Sequence, residues 1–378
     1  MSEKKKILYI SLRSDFGGAT MHIDQLVQSF NNNYEIYCAA PIEKPYGVKW
    51  LEKLGNEKFL ELPHRSFSVK YLIRLIFFIK RKKIDIIHAH GKGAGIYARF
   101  AKVFTTNTYL VYTLHGLHIA NYTKSMKSFY IFLERILGKL TNMFINVSNG
   151  EKQVCLDNKL FNVSKSIVIY NAIGNDEKNY PAKDELRRKL YLPIERFLII
   201  SVIRFNPQKN ITAMLEIAQK LSDDKDIMFI IIGDGEEKSK VEKIISECKI
   251  DNVKLLGYQK NINEYLLASD IFLSTSLWEG LPYSLIEATR AGIPIVASDV
   301  TGNNEVVFNK HNGYLFQVDD IDSAAKLLKK LRCSNSTLKA YGQNSKRVFK
   351  EHFILQNMLN KLEEVYYEAG IVIKRSDN

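Results

Sequence analysis

Cysteine is scarce and scattered: Cys38, Cys155, Cys248 and Cys333 are the only four in 378 residues, with no CxxC pair among them. Neither a disulfide framework nor a cysteine zinc site is encoded, and a reducing compartment suits such a chain. Long apolar runs are missing as well. The first, residues 7–12, is cut by Arg13, short of the ~7 to 15 residues of a secretion-signal core. The greasiest, YLIRLIFFIK at residues 71–80, carries Arg74 and reaches half of the ~20 residues that cross a bilayer. Neither export nor a membrane span is expected. The sequence also lacks the GxGxxG of a dinucleotide site, the GxxxxGK of a P-loop, and any helix-turn-helix, RNP or zinc signature of nucleic-acid binding.

What is present is an ordinary globular mixture, 46% hydrophobic and 25% charged, in a chain long enough for two domains, which excludes disorder. The net charge of +13 is unevenly held. Residues 1–180 contain 26 Lys+Arg against 14 Asp+Glu, hence +12; residues 181–378 contain 28 against 27, hence +1. A one-sided positive field attracts anionic surfaces and anionic small molecules alike, and a merely solvated face would also look this way. Through the first half, short apolar runs (KILYISL, YEIYCAA, IDIIHAH, TYLVYTLH, MFINVS, SIVIYN) alternate with helical patterns. The rhythm restarts after the polar NDEKNYPAKDELRRKLYLP, with FLIISVI, IMFIIIG, NVKLLG, DIFLST and IPIVAS. This is the pattern of parallel α/β sheets. It predicts two doubly wound Rossmann-like domains facing across a cleft: an N-terminal domain at 1–178, a linker at 179–194 and a C-terminal domain at 195–354. A C-terminal helix and tail at 355–378 packs back toward the N-terminal domain. Ligands of such sheets bind at the strand C-terminal ends, where function is therefore sought.

After the first strand, Gly17-Gly18 precede a helix patterned by Met21, Ile23, Leu26, Val27 and Phe30, so backbone N–H groups can approach an anion there, although a plain tight turn reads the same. FLIISVIRFNPQKN places Arg204 and Lys209 on the loop after a strand; two cations on a loop stiffened by Pro207 can grip a diphosphate, or simply be solvated. The most informative string is STSLWEGLPYSLIEATRAGIPIVASDVTGNNEVV, residues 274–307. Glu279 lies in its loop and Glu287 eight residues on, inside a helix that Pro282 can start. The two carboxylates bracket a helix N-terminus, which suits a ligand with hydroxyls at both ends and a phosphate between.

EGLPYSLIE is an E-x7-E motif. Together with Arg204 and Lys209, Gly17-Gly18, the GDG at 233–235 and GNNE at 302–305, it makes the chain resemble the retaining glycosyltransferases of family 4, with the GT-B fold, over nearly its whole length and in the family's order. The resemblance implies that Glu287 holds the ribose hydroxyls of a nucleotide sugar, in the first instance a UDP-sugar, and that Glu279 with Gly280, Leu281 and Pro282 meets the donor hexose. It implies that Arg204 and Lys209 grip the diphosphate, that Gly17, Gly18 and Gly233 approach the donor, that Asn304 and Glu305 lie beside phosphates and sugar, and that His115 of YTLHGLH sits near the reacting bond. Two departures touch the donor pocket: Ile203 replaces the glycine often found before the arginine, and Thr301-Gly302 stands for a Gly-Gly pair.

No metal site is expected. His88-x-His90 and His115-x2-His118 have no carboxylate or cysteine close by, and Asp224-Lys-Asp226 and Asp320-Ile-Asp322 are chance DxD strings. No cofactor is expected either, since the nucleotide sugar is a substrate. The resemblance implies metal-independent transfer of a hexosyl or N-acetylhexosaminyl group to a cell-surface glycan of the bacterial polysaccharide, capsule or O-antigen type, on a polyprenyl-diphosphate carrier. The basic aromatic stretches at 68–83 and 122–140 read either as core-facing helices or as interfacial ones. An anionic membrane surface is thus an expected partner and nucleic acid is not, with the protein cytoplasmic and peripheral on the inner membrane face. Two readings compete: a GT-B nucleotide-sugar epimerase, and an inactive nucleotide-sugar-binding partner subunit.

Overall fold

A computed structural model describes residues 4–30, 33–117, 122–176 and 178–376, with side chains as far as Gly370. The chain forms two compact units, one made of Met1–Asn171 with Gln356–Asn378, the other of Ala172–Leu355. The first contains a seven-stranded sheet of β1 (Lys6–Ile10), β2 (Glu35–Ala40), β3 (Phe59–Glu61), β4 (Ile86–His90), β5 (Tyr109–Thr113), β6 (Met143–Asn146) and β7 (Ser166–Val168), in the order β3-β2-β1-β4-β5-β6-β7. The second contains β8 (Phe197–Val202), β9 (Ile227–Ile232), β10 (Val253–Gly257), β11 (Ile271–Ser274), β12 (Ile295–Ser298) and β13 (Gly313–Phe316), in the order β10-β9-β8-β11-β12-β13. Every strand pair is parallel. Parallel strands need helical crossovers, which cover both faces, so Ile7, Leu8, Tyr9 and Ile10 along β1 are all fully buried.

β3 (FLE) and β13 (GYLF) are absent from the sequence reading; neither contains a β-branched residue. The boundary also differs. The second unit begins at Ala172, and residues 179–194 are not a tether, because their helix Lys183–Lys189 is pinned by the buried Arg187. Its guanidinium donates to the carbonyls of Ala268, Ile194 and Arg196 at 2.6–2.9 Å and pairs with Asp270 at 2.7 Å. At the other end, Gln356 onward belongs to the first unit, where Tyr366 is buried among Phe30, Tyr34 and His88.

The helix Lys124–Gly138 is seated by one buried ion pair. Arg99 on the helix Lys92–Phe104 reaches Glu134 through two bonds of 2.7 and 3.1 Å, donates Nε to the Gly95 carbonyl at 2.8 Å, and stacks 4.4 Å over Tyr112. Both side chains are essentially inaccessible. Such a pair adds little over an apolar substitute, but removing one partner strands the other charge at a cost of about 3–5 kcal/mol. Glu134→Gln is therefore expected to lower the unfolding free energy of the N-terminal unit by an amount of that order, read from a lower urea midpoint, and an unchanged midpoint would show the site to be solvated.

Candidate active site

In the C-terminal unit the strand order reverses between β8 and β11, so the loops leaving these two strands diverge to opposite faces and open a crevice at their ends. Arg204 and Lys209 lie on the first loop and Glu279 on the second, and backbone and side chains lace the two together. Leu277 N–H donates to the Gln208 carbonyl at 2.8 Å, and the Thr275 hydroxyl reaches the carbonyls of Lys209 and Asn210 at 2.9 and 3.0 Å. Gln208 Nε2 donates to the Trp278 carbonyl at 2.8 Å and to Glu279 Oε2 at 3.3 Å, while Lys209 Nζ forms an ion pair with Glu279 Oε1. Lys209 is thus neutralised by Glu279, and the Arg204 residue is exposed. Gln208 has no place in the sequence reading; as an uncharged residue beside a marked lysine it gave no signal.

Three glycines fix where these loops run. A Cβ on Gly233 would stand 1.7 Å from the Ile203 carbonyl oxygen, and one on Gly235 2.4 Å from that of Phe205, so the GDG turn grips the backbone on both sides of Arg204. Gly233 also has φ +138, and Gly302 has φ +85 with its would-be Cβ 2.4 Å from the Gly280 carbonyl. These are close backbone approaches that any side chain would block. In the GNNE element, buried Asn303 donates to the Ser298 carbonyl at 3.0 Å, exposed Asn304 reaches Asp299 at 3.3 Å, and half-buried Glu305 closes the short turn Asn303–Glu305.

The helix Tyr283–Ala291 starts directly after this crevice, with Pro282 at its N-cap and no side-chain cap. Its N-terminal N–H groups and dipole favour an anion. Leu281 and Pro282 are buried. Glu287 sits one turn in. Loss of hydration raises its carboxyl to about pH 7, against the opposing pull of Arg290.

In the N-terminal unit the reversal lies between β1 and β4. Arg13 and Asp15 pair through two bonds of 2.8 Å, Thr20 Oγ1 donates to the Asp15 and Gly17 carbonyls, and exposed Gly17 and Gly18 open the helix Gly18–Ser29. A Cβ at Gly17 would meet only ordinary contacts, so space does not demand glycine there. Beside this turn the fold gathers four histidines. His88 and His90 lie within β4; His115 follows β5 at φ +59; His22 is buried in the helix Gly18–Ser29. His88 contacts the Tyr366 hydroxyl at 2.6 Å and Thr113 Oγ1 at 2.8 Å, His90 Nδ1 lies 3.0 Å from His115 Nε2, and His22 Nδ1 lies 3.2 Å from Asn171 Oδ1. Burial keeps three of them neutral, lowering His22 to about 4 and His88 and His90 well below the ordinary imidazole value. His22 was missed because a lone polar residue in an amphipathic pattern reads as surface; His118 lies outside the described residues. Among the described residues no three His, Cys, Asp or Glu side chains converge as a metal site. The two DxD strings are structural, Asp224 and Asp226 pairing with Arg332 and Asp320 capping the helix Ile321–Arg332.

Residues 182–348 match the family described as glycosyl transferases group 1, and residues 16–177 match glycosyltransferase family 4. The chain is 31% identical over 320 residues to the UDP-Gal:alpha-D-GlcNAc-diphosphoundecaprenol alpha-1,3-galactosyltransferase of Escherichia coli, covering 80% of each protein. It is 25% identical to the O-antigen biosynthesis glycosyltransferase WbnH of Escherichia coli, over 85% of this chain and 89% of that one. Among solved structures, Anabaena Alr3699/HepE in complex with UDP and glucose superposes with a TM-score of 0.84 at 17% identity, covering 96% of this chain and all of that one. Two doubly wound parallel sheets, motifs at their reversal points and these likenesses agree: the fold is GT-B, and the chain belongs to glycosyltransferase family 4, the glycosyltransferases of glycan biosynthesis.

Proposed function

We propose that the protein is a retaining, metal-independent transferase that moves a hexosyl group from a UDP-sugar to a lipid-linked glycan. The observation that carries this reading is the laced pair of loops at the β8/β11 reversal, which sets Arg204, the Lys209–Glu279 pair and the uncapped N-terminus of the helix Tyr283–Ala291 around one crevice. Glu287 receives the ribose hydroxyls, and Glu279 with the backbone of Gly280–Pro282 receives the hexose. The sugar C1–O bond to UDP breaks as C1 bonds to the acceptor oxygen on the same face. The acceptor proton passes to the departing phosphate oxygen, and Arg204, Lys209 and the helix dipole stabilise the charge on that phosphate. UDP-galactose is the first donor to test, since the Escherichia coli relative is named for it.

Assayed in EDTA with a panel of UDP-sugars and a polyprenyl-diphosphate-linked acceptor, the protein is expected to give a product of retained anomeric configuration. Arg204→Ala and Lys209→Ala should each cut turnover about a hundredfold, on the order of 3 kcal/mol, without loss of fold. Turnover that needs added Mg²⁺, or two near-normal variants, would overturn the reading.

The raised carboxyl of Glu287 predicts a pH dependence of donor binding. Below about 7 it is protonated in the free protein and loses acceptor capacity for a diol, so affinity for the UDP-sugar should fall as pH drops from about 8 to about 6. Calorimetry should show that Glu287→Gln binds more weakly and with a flat profile over this range; a wild type with no slope would contradict the assignment.

Lipid-linked acceptors bring the enzyme to a membrane surface, and the helix Lys124–Gly138 is suited to that surface. Phe129, Phe132 and Ile136 fall on one helical face and are 68%, 60% and 47% exposed, while Lys124, Lys127 and Lys139 flank them. Among the described residues no helix is long and apolar enough to cross a membrane. Binding to anionic vesicles should weaken with salt, because exposed charges are screened beyond about 8 Å. Changing Lys124, Lys127 and Lys139 to Glu should reduce vesicle binding and leave UDP-sugar affinity intact; equal binding of variant and wild type would remove this surface from the account.

A further inference from the structure

Among the buried polar groups that the reaction above does not use, His90 has the most specific geometry. It is the last residue of β4, 3% exposed, and pairs in register with Thr113 at the end of β5. The chain turns two residues later through the left-handed conformation of His115, and the two imidazoles come to lie at 25° with Nδ1 of His90 3.0 Å from Nε2 of His115. The edge of His22 closes the other side, with ring centres 5.1 Å from His115 and 5.4 Å from His90.

Burial holds His90 neutral, and when His115 is neutral too a single hydrogen occupies the bond between the rings, so one ring donates and the other accepts. The surroundings of His90 choose the direction. Its second nitrogen, Nε2, is buried and has no hydrogen-bond partner. Were His90 to accept at Nδ1, its own hydrogen would be on Nε2, a buried N–H with nothing to receive it. Were it to donate from Nδ1, only a lone pair would be left without a partner, and unsatisfied acceptors are tolerated better than orphaned donors.

We propose that His90 is a positioning residue for His115: it donates Nδ1–H to His115 Nε2, fixes the ring plane, and so places the hydrogen of His115 on Nδ1 as a donor. The inference rests on the reading that puts His115 at the reacting sugar. In that site a ring of fixed tautomer presents a hydrogen-bond donor to a sugar hydroxyl or phosphate oxygen at no cost of reorientation during transfer.

The direct test is the histidine side-chain ¹H–¹⁵N correlation spectrum of the full chain, with the His115 signals assigned by their loss in His115→Gln. The wild type should show His115 as the Nδ1–H tautomer, and His90→Phe should shift it to a mixture of tautomers. Asparagine places its amide nitrogen near the position of Nδ1 and glutamine near that of Nε2, so His90→Asn should restore the wild-type spectrum and His90→Gln should not. With the UDP-sugar that the donor panel selects, His90→Phe should lower kcat about tenfold or more with donor KM nearly unchanged, and His90→Asn should recover most of it. An Nε2–H tautomer of His115 in the wild type, or equal rescue by asparagine and glutamine, would overturn the proposal. Full activity of His115→Ala would instead remove His115 from the site, while the spectra would still decide whether His90 sets its tautomer.

Discussion

In each sheet the second and third strands are added on one side of the first and the later strands on the other, and a parallel sheet wound this way must separate the loops at the reversal. The rest of the molecule follows from that topological constraint. Crossovers are right-handed, so helices leaving adjacent strands in opposite directions go to opposite faces, and the loops part at the strand ends. The residues drawn to these two openings differ. One receives Arg204, Lys209, Glu279 and an uncapped helix N-terminus; the other receives exposed glycines and four imidazoles.

An opening alone does not hold a loop in place, and the C-terminal unit does so largely with backbone against backbone. Gly233 and Gly235 press on the carbonyls either side of Arg204, and Gly302 presses on Gly280 beside Glu279. Thr275 and Gln208 add bonds from side chain to backbone across the two loops. This explains why Ile203 is accommodated where a glycine is common: its side chain joins the apolar core while its carbonyl meets Gly233, so the space is conceded by the neighbour. The Lys209–Glu279 ion pair adds a charged link between the same two loops.

Much of this was legible in the sequence because the relevant signals are local. Apolar runs of five or six residues announce buried parallel strands, and E-x7-E, GDG and GNNE are short strings whose glycines and carboxylates keep fixed spacing. The signals that failed are those that depend on partners far away in the chain. Arg187 looks like any helix-surface arginine until Ala268 and Asp270, some eighty residues on, enclose it, and with it a supposed linker becomes part of a domain. β3 and β13 carry no β-branched residue to mark them as strands. The histidine cluster joins positions 22, 88, 90 and 115, and no spacing rule connects a residue on a helix with residues in one strand and in the turn after its neighbour.

Ile173 and Ile354 lie side by side in a parallel bridge, with Ile173 N–H on the Phe353 carbonyl and Leu355 N–H on that of Ile173, each at 3.0 Å. In genetic terms the C-terminal unit is a cassette inserted between residues 171 and 356, and its two ends meet. Such a unit tolerates transplantation or circular permutation, because joining neighbouring ends costs little loop entropy. The N-terminal unit has no such freedom. Its helix carrying Tyr366 is encoded on the far side of the cassette, so a ribosome has passed the whole cassette before Tyr366 can fill the space between Phe30 and His88.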